Sequence, residues 1–152
     1  GGYCLPKDTL AMYEKSTSKG YEPGILKKVI EVNDTMPEFM ADKIIRVAKK
    51  TSKIGILGLS FKPDSDDVRD SSSAKIIRIL LNKGYRNLLA YDPIANHVFK
   101  KAYGFNDIEY CESLASICED SDVLVIVTAW EEFRDINREY PNKTVIDCRY
   151  FL

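Results

Sequence analysis

The chain has 152 residues, enough for one domain with a full core and an added segment. Hydrophobic residues make up 45% and charged residues 30%, the balance of a soluble globular protein rather than a disordered chain. Its 22 basic and 23 acidic residues give a net charge of −1, so no strong field favours nucleic acid or an anionic membrane.

No apolar run approaches the ~18 residues a bilayer span demands, and no signal peptide is visible. The four cysteines, Cys4, Cys111, Cys118 and Cys148, are scattered, with no C-x-x-C pair, and His97 is the lone histidine. The expectation is a cytoplasmic chain with reduced thiols and no structural metal, Cys111 and Cys118 being filler.

In chain order, a short helix is expected over 8–18, with Pro6 at its first position and Cys4 just ahead of it. Gly20 and Pro23-Gly24 mark a turn. Helical periodicity covers 25–50, with Ile25, Leu26, Val29, Ile30 and Val32 on one broad face and Phe39, Met40, Ile44, Ile45 and Val47 on another. Pro37 lacks an N–H and crowds the preceding turn, so a kink or break is expected near 33–37, with Thr35 capping the second piece. This stretch is too apolar to stand alone in water.

From Lys53 the pattern changes. Strands are expected at 53–59, 87–92, 108–110, 122–128 and 143–147. Helices are expected at 72–83, 95–103 and 113–118, with a short helical or irregular piece in 131–140; Ser113 is a candidate cap. Strands alternating with helices imply β-α-β units and an α/β fold: a Rossmann-like, doubly wound parallel sheet of about five strands in order 3-2-1-4-5, preceded by an N-terminal helical segment. The division falls at 1–52 and 53–152. Ligands bind such sheets beyond the carboxyl ends of the strands, where Lys62, Asp92, Thr128, Trp130, Asp147 and Arg149 are expected.

The opening octet, Gly1-Gly2-Tyr3-Cys4-Leu5-Pro6-Lys7-Asp8, carries the chemistry. A cysteine at a helix N-terminus sits where partial positive charge favours a thiolate, and Lys7 adds to that field. Asp8 follows four residues later, about one turn on, which suits an acid/base partner for a nucleophile. The bland alternative is a cysteine acting as a small hydrophobe. The first strand does not lead into a Gly-x-Gly-x-x-Gly phosphate turn. It leads into the acidic loop 61–71, where Lys62 and Arg69 are the cations in reach of an anion and internal Asp–Arg pairing is the alternative. Asp92 is expected to cap rather than to bind a ribose.

The octet resembles the last eight positions of the active-site motif Gly-x-Gly-Gly-x-Cys-x-Pro-Lys-Asp of the nucleotide-sugar dehydrogenases, the UDP-glucose 6-dehydrogenase group. Three further blocks resemble that family in the family's order. They are 58–71, like Gly-Leu-x-Phe-Lys-x-x-Thr-Asp-Asp-x-Arg-x-Ser with Ser65 for threonine; 128–133, like Thr-Glu-Trp-x-x-Phe; and 146–149, like Ile-Asp-Gly-Arg with Cys148 for glycine.

The resemblance implies an N-terminal NAD-binding domain that this chain lacks, a dimerising helical linker whose end is 1–52, and a UDP-sugar-binding domain at 53–152. It implies oxidation of UDP-glucose to UDP-glucuronate with two NAD⁺, through a cysteine thiohemiacetal and thioester. Cys4 is then the nucleophile and Asp8 its acid/base partner. Lys7 and Arg69 would reach NAD, while Gly1, Phe61, Lys62 and Arg149 would hold the UDP-sugar. The implied partners are a UDP-sugar, NAD and a second copy in a homodimer, with no nucleic acid and no membrane; alone, the chain is expected to be inactive. The alternatives are a UDP-N-acetylmannosamine, UDP-N-acetylglucosamine or GDP-mannose dehydrogenase, and, in another class, a non-catalytic nucleotide-binding module. A receiver-like domain is disfavoured, because Asp92 and Asp147 do not assemble its acidic cluster.

Overall fold

In a computed structural model, which describes residues 2–152, five short strands form one parallel sheet. They are β1 (Ile54–Leu57), β2 (Leu88–Tyr91), β3 (Glu109–Tyr110), β4 (Val123–Ile126) and β5 (Thr144–Asp147). Their spatial order is β3-β2-β1-β4-β5, the doubly wound order that the alternation of elements predicts. The register places Ile54 beside both Leu88 and Val123, and Val123 beside Thr144.

Alternation along the strands splits the core into two layers. Ile54, Ile56, Leu88, Ala90, Val123 and Val125 point to one face, packed by α2 (Gly24–Val47), α3 (Ser72–Asn82) and α4 (Asn96–Tyr103). Leu57, Leu89, Leu124 and Ile126 point to the other, packed by α5 (Leu114–Asp120) and α6 (Ile136–Glu139). Both faces are covered, which is why these strands read as continuous apolar runs. Cys111 and Cys118 are buried in the second layer, as filler. Gly55 lets α5 approach closely, since a Cβ there would meet Ser121 and Ile117. Gly58 lies one residue beyond β1 at φ +85°, and a Cβ on it would come 2.5–2.8 Å from Thr128.

The helical segment differs from expectation in two places. Helix α1 (Cys4–Thr17) begins at Cys4, so the cysteine opens the helix instead of preceding it. The first bond of the turn runs from the Lys7 N–H to the Tyr3 carbonyl at 3.3 Å. Pro6 is therefore the third helical residue, still within the turn whose N–H groups have no partner inside the helix.

Helix α2 runs unbroken through Pro37. Its second half is fastened to α3 by the burial of Met40, Ala41 and Ile44, and by Lys83 reaching Glu38 at 3.0 Å and Asp42 at 3.1 Å. That packing outweighs the local cost of the proline. Thr35 does not cap a second piece; its hydroxyl donates to the Val32 carbonyl at 3.1 Å. The first half of α2 leaves Ile25, Val29 and Val32 exposed. No helix among the described residues is long and apolar enough to cross a membrane.

Candidate functional site

The cysteine segment is docked on the loop that joins β1 to α3. Gly2 is buried at φ +82°, and a Cβ placed there would come 3.0 Å from Cδ2 of Phe61. The next residue, Tyr3, lies under the Arg69 guanidinium, with Cζ 4.9 Å from the ring centroid. Cys4 is exposed. Lys7 and Arg69 are both near enough to interact with it electrostatically, so two cations share its surroundings. Asp8 follows Cys4 by one turn on the same face of α1 and pairs with Lys7 at 2.9 Å. That hydrogen bond and the carboxylate's charge push the Lys7 ammonium above its ordinary value.

The β1–α3 loop is anchored at both ends. The Phe61 N–H donates to the Asp67 carbonyl at 3.0 Å, closing the loop. Ser71 caps α3 and donates to the Leu59 carbonyl at 2.7 Å, while Ser73 donates to the Gly58 carbonyl at 2.6 Å. The Tyr103 hydroxyl bridges the Val68 carbonyl and the Ser71 N–H. Within the loop, Asp67 grips Arg69 in a fork, with Nη2–Oδ2 2.6 Å and Nε–Oδ1 3.0 Å. The internal Asp–Arg pairing is thus present, and the side-chain hydrogen bond to Arg69 holds the Asp67 carboxyl below its ordinary value. Lys62 is exposed, its ammonium 5.6 Å from the centroid of the Phe61 ring.

Lys7 and Arg69 line a cleft of about 670 Å³ between α1, α2 and this loop, whose apolar wall includes Leu5, Leu10, Val29 and Ile30. Arg149 lies elsewhere. It lines a smaller cavity of about 190 Å³ with Cys148, Lys75 and Met36. Asn33 borders both cavities, so α2 separates Lys7 and Arg69 from Arg149; Cys4, Asp8, Phe61 and Lys62 line neither. Gly1, expected against the substrate, lies outside the described residues.

Asp147 sets the turn that presents Arg149. It accepts from the backbone N–H groups of Arg149 at 2.7 Å, Phe151 at 2.5 Å and Leu152 at 2.9 Å. Burial pushes its carboxyl up, but these backbone bonds outweigh it and hold the group below its ordinary value. Cys148, where the family motif has glycine, is not at positive φ: the non-glycine residues at positive φ among those described are Asp64, Asp70 and Tyr150.

Asp92 is the main residue whose role the sequence undersells. It caps the turn after β2, accepting from Ile94 and Ala95 N–H groups. Its other oxygen reaches across the sheet to the N–H groups of Leu59 and Ser60, the Ser60 hydroxyl and Trp130 Nε1. Thr128 adds a bond to the Ser60 carbonyl at 2.5 Å. Asp92, Thr128 and Trp130 therefore brace the start of the β1–α3 loop. A buried acid after β2 and an indole after β4 are the only sequence signals for it.

Comparison with known proteins identifies the family of the chain. The profile of the UDP-glucose/GDP-mannose dehydrogenase family, UDP binding domain, matches residues 55–152. The UDP-glucose 6-dehydrogenase of Haloferax volcanii is 36% identical over 98% of this chain and 35% of its own length. That of Rickettsia felis is 39% identical over 90% of the chain and 31% of its own. Among solved structures, a UDP-glucose dehydrogenase from Pyrobaculum islandicum superposes with a TM-score of 0.90 at 35% identity, covering 99% of this chain and 34% of that one. A GDP-mannose dehydrogenase from Pseudomonas aeruginosa superposes at 0.87 with 30% identity, covering 100% and 36%. The chain thus spans about a third of the length of these relatives. By the profile match, these identities and these superpositions, the chain belongs to the UDP-glucose/GDP-mannose dehydrogenase family and carries that family's UDP binding domain.

Proposed function

We propose that this chain is the C-terminal part of an NAD-dependent dehydrogenase that oxidises UDP-glucose to UDP-glucuronate. The observation that carries the reading is the docking of the cysteine segment on the β1–α3 loop, Gly2 against Phe61 and Tyr3 against Arg69. That contact gathers a nucleophile, its acid and two cations beside a cleft. Residues 1–52 end a linker, and 53–152 hold the nucleotide of the sugar.

In this reading Cys4 attacks the aldehyde carbon formed at C6, and the sulfur holds it as a thiohemiacetal. A second oxidation gives a thioester, which water hydrolyses. Asp8 takes or returns the proton at these steps and helps activate the water. NAD⁺, when bound, accepts the hydride of each oxidation. Lys7 and Arg69, cationic on the cleft wall, fit an anionic cofactor from this side, most of whose site belongs to the N-terminal domain that the resemblance implies. Phe61, Lys62, Arg149 and Gly1 contact the UDP-sugar. The exposed apolar residues of α2 support a homodimer.

A GDP-mannose dehydrogenase is the second reading, favoured by the 0.87 superposition on such an enzyme. Calorimetric titration with UDP-glucose, GDP-mannose and UDP-N-acetylmannosamine tests the choice, on this chain and on the complete enzyme that contains it. Selective uptake of UDP-glucose, weakened by Lys62→Ala and Arg149→Ala, supports the proposal. Preference for GDP-mannose replaces it with the second reading. Binding to the complete enzyme that neither substitution weakens refutes the site.

A further inference from the structure

We propose that Asp67 is the positioning residue that pre-forms the cofactor-facing arginine and ties it to the substrate-facing aromatic. The inference rests on the reading of Arg69 as a cofactor contact and of Phe61 as a substrate contact. Three observations carry it. First, the Arg69 side chain is 62% exposed, yet Asp67 holds it through both Nε and Nη2, while Asp67 itself is 25% exposed. An exposed arginine without such a fork samples many rotamers and gives up that freedom on binding an anion. Second, the fork sets the guanidinium over the Tyr3 ring, with Cζ 4.9 Å from its centroid, one residue from Cys4. Third, the backbone carbonyl of the same Asp67 accepts the Phe61 N–H, and its N–H donates to Ser65 Oγ at 3.1 Å.

One residue thus fixes the two ends of the loop. Its side chain sets where Arg69 lies, and its main chain sets where Phe61 lies. The fork occupies Nε and Nη2 of the guanidinium. That leaves Nη1, which the fork does not engage, to meet the ligand. Substitution of the side chain alone separates the two roles, because Asn keeps the backbone bond to Phe61 and loses the charged fork.

The test uses the complete dehydrogenase containing this chain, in wild-type, Asp67→Asn, Asp67→Glu, Arg69→Ala and Asp67→Asn/Arg69→Ala forms. Asp67→Asn raises the KM for NAD⁺ by about fivefold or more, leaves the KM for UDP-glucose within about twofold, and adds little to Arg69→Ala in the double variant. Asp67→Glu recovers part of the loss. In parallel, the Arg69 Nε–H resonance of the chain is slow to exchange in the wild type and loses that protection in Asp67→Asn. Melting temperatures within a few degrees of wild type exclude general unfolding as the cause. If the Nε–H protection is lost and the KM for NAD⁺ is unmoved or lower, Asp67 competes with the ligand or is irrelevant to it, and the inference is overturned. It is equally overturned if the double variant shows the full sum of both effects. If Arg69→Ala itself leaves the KM for NAD⁺ unchanged, the cofactor reading of Arg69 fails, and Asp67 falls with it for a distinct, visible reason.

Discussion

Gly2 rests against the ring of Phe61 so closely that a methyl group would stand 3.0 Å from Cδ2, in a backbone conformation with φ +82°. The contact joins the cysteine helix to the nucleotide domain at a point where neither has room to spare. Gly2→Ala adds left-handed strain of about 1–2 kcal/mol to that crowding. The segment is expected to detach while the sheet stays folded, because its docking rests on this contact and on Tyr3 under Arg69. Resonances of Phe61, Tyr3 and Arg69 then shift strongly, and the urea midpoint moves little. Unchanged resonances at all three would mean that the docking does not hold in solution.

Asp92 is a different kind of support. It is 2% exposed and its two oxygens serve six donors across three segments. Asp92→Ala leaves those donors in a dry interior and is expected to cost about 3–5 kcal/mol. Urea unfolding of the variant measures this directly. A loss below about 1 kcal/mol would show that water replaces the carboxylate and that the brace is weak.

The Asp147 turn gives a pH dependence with a definite sign. The folded carboxyl titrates below its unfolded value near 3.9, so its stabilisation is fully present above about pH 4 and is lost as pH falls through the folded value. The amide shifts of Arg149, Phe151 and Leu152 should move together in acid, below pH 4. In Asp147→Asn that shared transition disappears. A midpoint above pH 4 would contradict the assignment.

Thiol chemistry separates the four cysteines. Cys4 is exposed, whereas Cys111 and Cys118 are buried. Burial pushes the Cys118 thiol up to about 12 and the Cys148 thiol up to about 11, and raises Cys111 as well. Brief iodoacetamide treatment of the native protein at pH 7 should label Cys4 alone, as read by peptide mass spectrometry. Labelling of Cys148 at a similar rate would mean that its cavity opens readily.

Much of the fold was legible because its signals are local. Apolar runs such as 122–128, punctuated by Gly84, Gly104 and polar turns, located the strands and their order. The unbroken helix through Pro37 was not legible, since the packing of Met40, Ala41 and Ile44 on α3 lies outside any local window. The start of α1 at Cys4 was missed because Pro6 is tolerated anywhere in a first turn. At the site, the octet and the loop 61–71 identified Cys4, Lys7, Asp8, Phe61 and Arg69 as candidates. Their mutual contacts depend on a glycine and a tyrosine whose spacing carries no signature. The cap at Asp92 and an Asp–Arg pair in the loop were legible; that Asp67 is the acid of that pair, and that Asp92 also reaches Leu59, Ser60 and Trp130, was not, because those partners are set by the fold.

The most direct test of the account is turnover of the complete enzyme with Cys4 replaced by alanine. The account predicts that conversion of UDP-glucose to UDP-glucuronate falls by a factor on the order of 10³ or more, while calorimetric affinity for UDP-glucose stays within about threefold of wild type. Turnover of Cys4→Ala within about tenfold of wild type would contradict a covalent role for Cys4 and the mechanism built on it.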